Sequence, residues 1–131
     1  MFIEGMIKRN IRCGLAGKRL KNCSSILSKY GLKFPPLFFG TINIRLDTDF
    51  PTPIQNVIFV SQEEIDSVAR GYNEWWKLIP VKGINRTNIA GYIYRTQQNV
   101  HKDITAELIT IDLNNNSYIS INDGDRIKLH L

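Results

Sequence analysis

Polar and apolar residues alternate along Gly40-Thr41-Ile42-Asn43-Ile44-Arg45-Leu46-Asp47. Thr41, Asn43 and Arg45 fall on one side and Ile42, Ile44 and Leu46 on the other, which predicts a strand with one polar face. Further strands are expected over 2–8, 75–82, 89–95, 104–111 and 126–131. A turn over 83–88 joins the second and third of these, and Asn122-Asp123-Gly124-Asp125 is a turn signal before the last. Ser24 to Tyr30 reads as a short helix capped by Asn22 or Ser24 and stopped by Gly31. Ser61-Gln62-Glu63-Glu64 opens a second helix, its acids placed where they complement the helix dipole. Residues 9–22 are basic, carry Gly14 and Gly17, and read as a loop. About six strands at short spacing, not alternating with long helices, argue against a doubly wound parallel sheet. The expected fold is mainly β: a small six-stranded closed β-barrel with one or two short helices.

The length of 131 residues suits one domain, so 1–131 is expected to form a single barrel domain. With 43% hydrophobic and 22% charged residues, the composition excludes a disordered or collagen-like chain. Charge changes the picture more. Residues 1–33 hold eight basic residues against one acid, Glu4, a net +7; the remaining 98 hold nine against eleven, a net −2. A local positive field of this kind attracts an anion: nucleic acid, a membrane surface or a polyphosphate. Cys13 and Cys23 are too few for a disulfide framework and lack companions for a zinc site, so free thiols are expected. No apolar stretch follows Met1 and no run is long enough to cross a bilayer, so a cytoplasmic protein with no membrane partner is expected.

Several segments could carry chemistry. Thr41 and Asn43 offer a hydroxyl and an amide oxygen on one side of a strand. Hard neutral donors of this type suit Mg²⁺ when a substrate's phosphates bring the negative charge. The bland alternative is a solvent-facing strand face. Gly14-Leu15-Ala16-Gly17-Lys18-Arg19 could offer backbone N–H groups and cations to phosphates, although the Walker spacing is absent. Asp112 to Asp123 imitates a calcium-loop register but has Ser117 where a glycine is needed and Asp123 in place of a bidentate glutamate, so it is rejected. Glu107 lies inside an apolar strand and could act as a base. His101 has no nucleophile in motif context, so no triad is expected. Trp75, Trp76, Tyr92 and Tyr94 read as core and barrel rim in preference to a base-stacking platform.

The order of Phe2-Ile3-Glu4-Gly5, Gly40 to Asp47, Leu78-Ile79-Pro80-Val81-Lys82, Ala90-Gly91-Tyr92-Ile93, Val100-His101 with Ile104–Leu108, and Asn122 to Lys128 resembles the archaeal-type CTP-dependent riboflavin kinases. The likeness spans nearly the whole chain. It implies a riboflavin-kinase-like barrel of the cradle-loop type. It implies Mg²⁺ on Thr41 and Asn43. Nucleotide phosphates would lie on Gly14, Leu15, Ala16, Gly17, Lys18 and Arg19, with a second nucleotide segment at Leu113 and Asn114. Substrate contacts are implied at Asn99, His101 and Glu107, with Glu107 orienting or deprotonating the acceptor hydroxyl. The chain departs from the family pattern at Asn99-Val100 and at Thr110-Ile111, and Lys18-Arg19-Leu20 stands where an aromatic pair is usual.

The expected activity is transfer of the γ-phosphate of CTP to the ribityl 5′-hydroxyl of riboflavin, giving FMN and CDP. The expected partners are therefore a nucleotide and a small-molecule substrate, with Mg²⁺ as cofactor, acting on a monomer. Two alternatives stay open. One is the same kinase chemistry on another small alcohol or sugar, motivated by the altered acceptor segment. The other is a non-catalytic nucleic-acid-binding barrel, disfavoured because no recognition-helix pattern is visible.

Overall fold

The computed structural model describes residues 1–8, 21–31, 42–51, 55–97, 105–110 and 122–131. These form β1 (Phe2–Ile7), α1 (Ser24–Lys29), β2 (Ile42–Leu46), β3 (Ile58–Val60), α2 (Gln62–Asp66), β4 (Trp76–Val81), β5 (Gly83–Ile84), β6 (Gly91–Thr96), β7 (Thr105–Thr110) and β8 (Arg126–His130). All pairings are antiparallel, and the eight strands make one sheet in the order β3-β4-β6-β7-β2-β1-β8-β5. The fold is mainly β with short helices, as expected. The sheet has two ends, β3 and β5, so the pairing does not show the closed six-stranded barrel. Only Lys82 separates β4 from β5. β4 pairs with β6, β5 pairs with β8, and the Lys82 amide donates to the His130 carbonyl at 2.6 Å. Residues 76–84 thus touch both flanks of the ladder.

Two strands were not expected. β3 is a three-residue edge strand, and β5 occupies the start of the expected 83–88 turn. Gly83 makes β5 possible, because a Cβ there would stand 2.7 Å from the Thr87 carbonyl oxygen. The turn proper follows it, with Asn85 at φ 53° and the Thr87 amide donating to the Ile84 carbonyl at 3.0 Å.

Each face of the sheet has its own core. On one face Ile3, Ile7, Ile42, Ile44, Leu46, Ile79, Val81, Ile93, Leu108, Ile127 and Leu129 pack together. On the other, Cys23, Ile26 and Leu27 of the α1 segment and Ile65 of α2 cover Val60, Trp76, Leu78, Tyr94 and Ile109. The helices therefore cover β3, β4, β6 and the Ile109 end of β7, and leave the polar face of β1, β2 and β8 uncovered by them. The α2 cap is as expected: Ser61 Oγ accepts from the Glu64 amide at 3.2 Å, with Glu63 and Glu64 in the first turn. The α1 cap differs. Cys23 is its N-cap and no side chain caps it, because the Asn22 amide instead donates to the Tyr72 hydroxyl at 3.0 Å. Gly31 ends α1 at φ 93°, as its position predicted.

α1 is fastened at its C-terminal end. Tyr30 donates its hydroxyl to Glu64 of α2 at 2.9 Å, Lys29 reaches the same carboxylate at 2.8 Å, and Tyr92 of β6 donates to the Tyr30 carbonyl at 2.7 Å. The Lys29 hydrogen bond holds the Glu64 carboxyl below the usual range; burial opposes it, and the Tyr30 hydroxyl adds a smaller lowering effect. Cys23 is a buried free thiol, as expected of it. Cys13 lies outside the described residues. No helix among the described residues is long and apolar enough to cross a membrane.

Candidate functional site

β2 and β7 pair so that Asn43 stands directly opposite Glu107, and Glu107 in turn stands opposite Tyr94 of β6. Directly opposed residues point to the same side of a sheet, with Cβ atoms roughly 4.5–5.5 Å apart. The row Asn43–Glu107–Tyr94–Leu78 therefore runs across four strands on the helix-covered face. Leu78 and Tyr94 are buried beneath α1, whereas Glu107 and Asn43 are half-buried at the margin of that cover. Two residues of the expected site, far apart in sequence, are thus neighbours.

Asn43 carries the most informative atom. Its Oδ1 is buried and accepts no hydrogen bond among the described residues. Its backbone carbonyl is satisfied by the Lys8 amide at 2.8 Å. An unfulfilled buried amide oxygen costs roughly 1–3 kcal/mol, so a strand that keeps one has a use for it. A neutral hard oxygen with a carboxylate on the next strand fits Mg²⁺ in its usual setting, where phosphates and water complete the shell.

The register adds cations that the sequence had not singled out. Lys8 follows β1 beside Asn43, and Arg45 lies two residues along β2 from Asn43, opposite Met6 and Thr105. The side chains of Lys8 and Arg45 are exposed on the same face. The alternation of Thr41, Asn43 and Arg45 contained this signal for Arg45. Lys8 could not be found without the β1–β2 register. The basic stretch 9–20 is joined to Lys8 at one end and to Lys21, just before α1, at the other.

Further along the same face, Arg126 of β8 makes a two-pronged ion pair with Asp47, at 2.7 Å for Nη1 to Oδ1 and with a second close contact from Nη2 to Oδ2. Glu4 lies 3.8 Å from Arg126 and 3.6 Å from Lys128. The hydrogen bonds from Arg126 hold the Asp47 carboxyl below its usual range. This network ties the end of β2 to β8 and fixes the strand that carries Asn43.

The other expected site residues lie outside the described residues: Thr41, Gly14, Leu15, Ala16, Gly17, Lys18, Arg19, Asn99, His101, Leu113 and Asn114. Among the described residues, no group of three or more His, Cys, Asp or Glu side chains comes together. Compared with known proteins, the chain matches no protein-family model, and no curated protein matches it significantly.

Proposed function

We propose that the protein is a CTP-dependent kinase that phosphorylates the ribityl 5′-hydroxyl of riboflavin, giving FMN and CDP. The observation that carries this reading is the pair Asn43–Glu107, with an unfulfilled amide oxygen on one strand and a carboxylate directly opposite. In-line phosphoryl transfer needs positioning and charge neutralisation more than covalent chemistry. Asn43, with Thr41 two residues before it, would hold Mg²⁺, which when bound neutralises phosphate charge. Lys8 and Arg45 add positive charge at the same face, and the basic stretch 9–20 follows Lys8 in sequence. Glu107 orients the acceptor hydroxyl and takes its proton as the oxygen bonds to the γ-phosphorus and the bond to the bridging oxygen of CDP breaks. The closed cradle-loop barrel belongs to this proposal, and the contact of residues 76–84 with both flanks of the sheet supports it.

The test is direct. Protein, riboflavin, Mg²⁺ and either CTP or ATP are incubated and FMN is separated by chromatography. FMN formed faster with CTP is the expected result; no FMN with either nucleotide overturns the proposal.

A further inference from the structure

The β1–β2 register runs one residue beyond β1. Gly5, Met6 and Ile7 stand opposite Leu46, Arg45 and Ile44, and the Lys8 amide then donates to the Asn43 carbonyl at 2.8 Å. Lys8 is therefore opposite Asn43 and on the same side of the sheet. Glu107 stands opposite Asn43 on the other flank. Lys8, Asn43 and Glu107 form one row over three strands, the outer two roughly 9–10 Å apart.

Lys8 and Asn43 do not satisfy each other. The Asn43 Oδ1 is buried and accepts no hydrogen bond among the described residues, although a lysine stands opposite. The Lys8 side chain is exposed and makes no hydrogen bond or ion pair among the described residues. The acids elsewhere on this face are engaged: Asp47 by Arg126, and Glu4 by Arg126 and Lys128. Asp125, whose carbonyl takes the Ile7 amide, accepts the Asn122 amide on its carboxylate at 3.1 Å. An oxygen that calls for a cation thus lies beside an ammonium that calls for an anion. A phosphate with its metal ion meets both demands at once.

The two ends of the row differ in room. Past Glu107 come Tyr94 and Leu78, buried beneath α1. On the Lys8 side comes Gly124, whose amide donates to the Ile7 carbonyl at 2.8 Å, and a Cβ there would meet nothing within 4 Å. The open end suits the bulkier ligand, the nucleotide.

We propose that Lys8 holds the terminal phosphates of the nucleotide, on the side of Asn43 away from Glu107. This role rests on the kinase proposed above and adds a direction to it: the donor lies over β1 and the acceptor over β7. The acceptor oxygen bonds to the γ-phosphorus from the Glu107 side and gives its proton to Glu107. The bond to the bridging oxygen breaks, and CDP leaves toward Lys8, whose charge offsets that gathering on the β-phosphate.

The test is titration calorimetry on the full chain with CTP and Mg²⁺ and no acceptor. Wild-type protein binds CTP. Lys8→Ala, and Lys8→Met, which keeps the stem without the charge, weaken binding roughly 10- to 150-fold, as expected for a lost hydrogen bond between charged groups. Lys8→Arg restores most of the affinity, and the melting temperatures of the unliganded variants match the parent. Lys128→Ala, which removes the same charge from the pair with Glu4, leaves the affinity as it was. Wild-type affinity in Lys8→Ala overturns the proposal, and so does an equal loss in Lys128→Ala, which would be an effect of net charge alone. No binding of CTP by the wild-type protein overturns it together with the CTP-dependent kinase. FMN formation with undiminished CTP affinity in Lys8→Ala overturns the role of Lys8 and leaves the kinase standing. CTP binding that depends on Lys8 without FMN formation supports the role of Lys8 and overturns riboflavin as the acceptor.

Discussion

Asn43 and Glu107 face each other across β2 and β7, and the amide oxygen of one accepts no hydrogen bond from the described residues while the other supplies a carboxylate on the same side. On the proposed function, the Asn43 oxygen is kept for Mg²⁺ at the expense of stability. Asn43→Val tests that trade. Valine suits a strand and leaves no polar atom to satisfy. The melting temperature should rise by the equivalent of about 1 kcal/mol while FMN formation falls at least about 100-fold. Unchanged or lower stability on thermal melting would mean that the oxygen is already satisfied in the folded chain.

Glu107→Gln keeps the shape and removes the proton acceptor. The expected loss in kcat is about 10²- to 10⁴-fold with little change in melting temperature. The double variant with Asn43→Ala should be hardly slower than the worse single one, because groups acting on one transition state are not additive. Full additivity in steady-state rates would separate the two residues functionally.

The legible part of this fold is where one face meets water. β1, β2 and β8 alternate cleanly, and their uncovered polar face is visible in Thr41-Ile42-Asn43-Ile44-Arg45 and its counterparts. The strands under the helices read differently: Leu78-Ile79, Ile93-Tyr94 and Leu108-Ile109 are consecutive buried pairs, the mark of burial on both faces. That signal identifies the covered strands, but it does not say which element covers them. β3 and β5 escaped because three and two residues, respectively, are too short to show a period. Asn43 and Glu107 were each visible as candidates, yet their adjacency depends on the β2–β7 register, which pairs distant segments and leaves no trace in local spacing.

Glu64 joins the two helices through Tyr30 and Lys29. Its folded pKa lies below its ordinary value of 4.5. The stabilisation is therefore complete above about pH 4.5 and is lost as pH falls through the folded value. Tyr30 shifts the other way, raised above 10.0 chiefly by burial and then by its bond to Glu64, so its contribution holds below pH 10 and fades above it. Glu64→Gln should lower the melting temperature at neutral pH, and the difference should shrink as the pH falls below 4.5. A constant difference across that range would show that the carboxylate charge is not what fastens α1.

Gly5 lies where β1 passes closest to β2. A Cβ there would collide with the Arg45 carbonyl oxygen and come within 2.8 Å of Ile44 Cγ2. Backbone cannot yield as a flexible side chain does, so Gly5→Ala must push β1 away from the strand that carries Asn43. A cost of about 1–3 kcal/mol in chemical denaturation is expected, as for other overpacked positions. Activity should fall further than stability alone explains, because Lys8 and Asn43 share a backbone bond further along the same pair of strands. Wild-type stability in Gly5→Ala would contradict the close approach.

Cys23 lies fully buried at the start of α1. Burial, helped by the Glu74 carboxylate, pushes its thiol up to about 11 from 9.0. Only the thiolate is nucleophilic, so both inaccessibility and charge keep this sulfur inert at neutral pH. In a Cys13→Ser variant, which leaves Cys23 as the single thiol, labelling by a soluble disulfide reagent at pH 8 should track the opening of α1. Mild denaturant should accelerate it in proportion to the unfolded or opened population. The same shift makes the fold depend on alkaline pH. The folded form holds the proton more tightly than the unfolded chain, so this contribution is complete below about pH 9 and is lost as pH rises toward 11. Cys23→Ala removes the titrating group and should flatten the fall in melting temperature between those two pH values. Labelling at the rate of a free thiol, or an alkaline profile unchanged by Cys23→Ala, would show that α1 does not seal this side of the sheet.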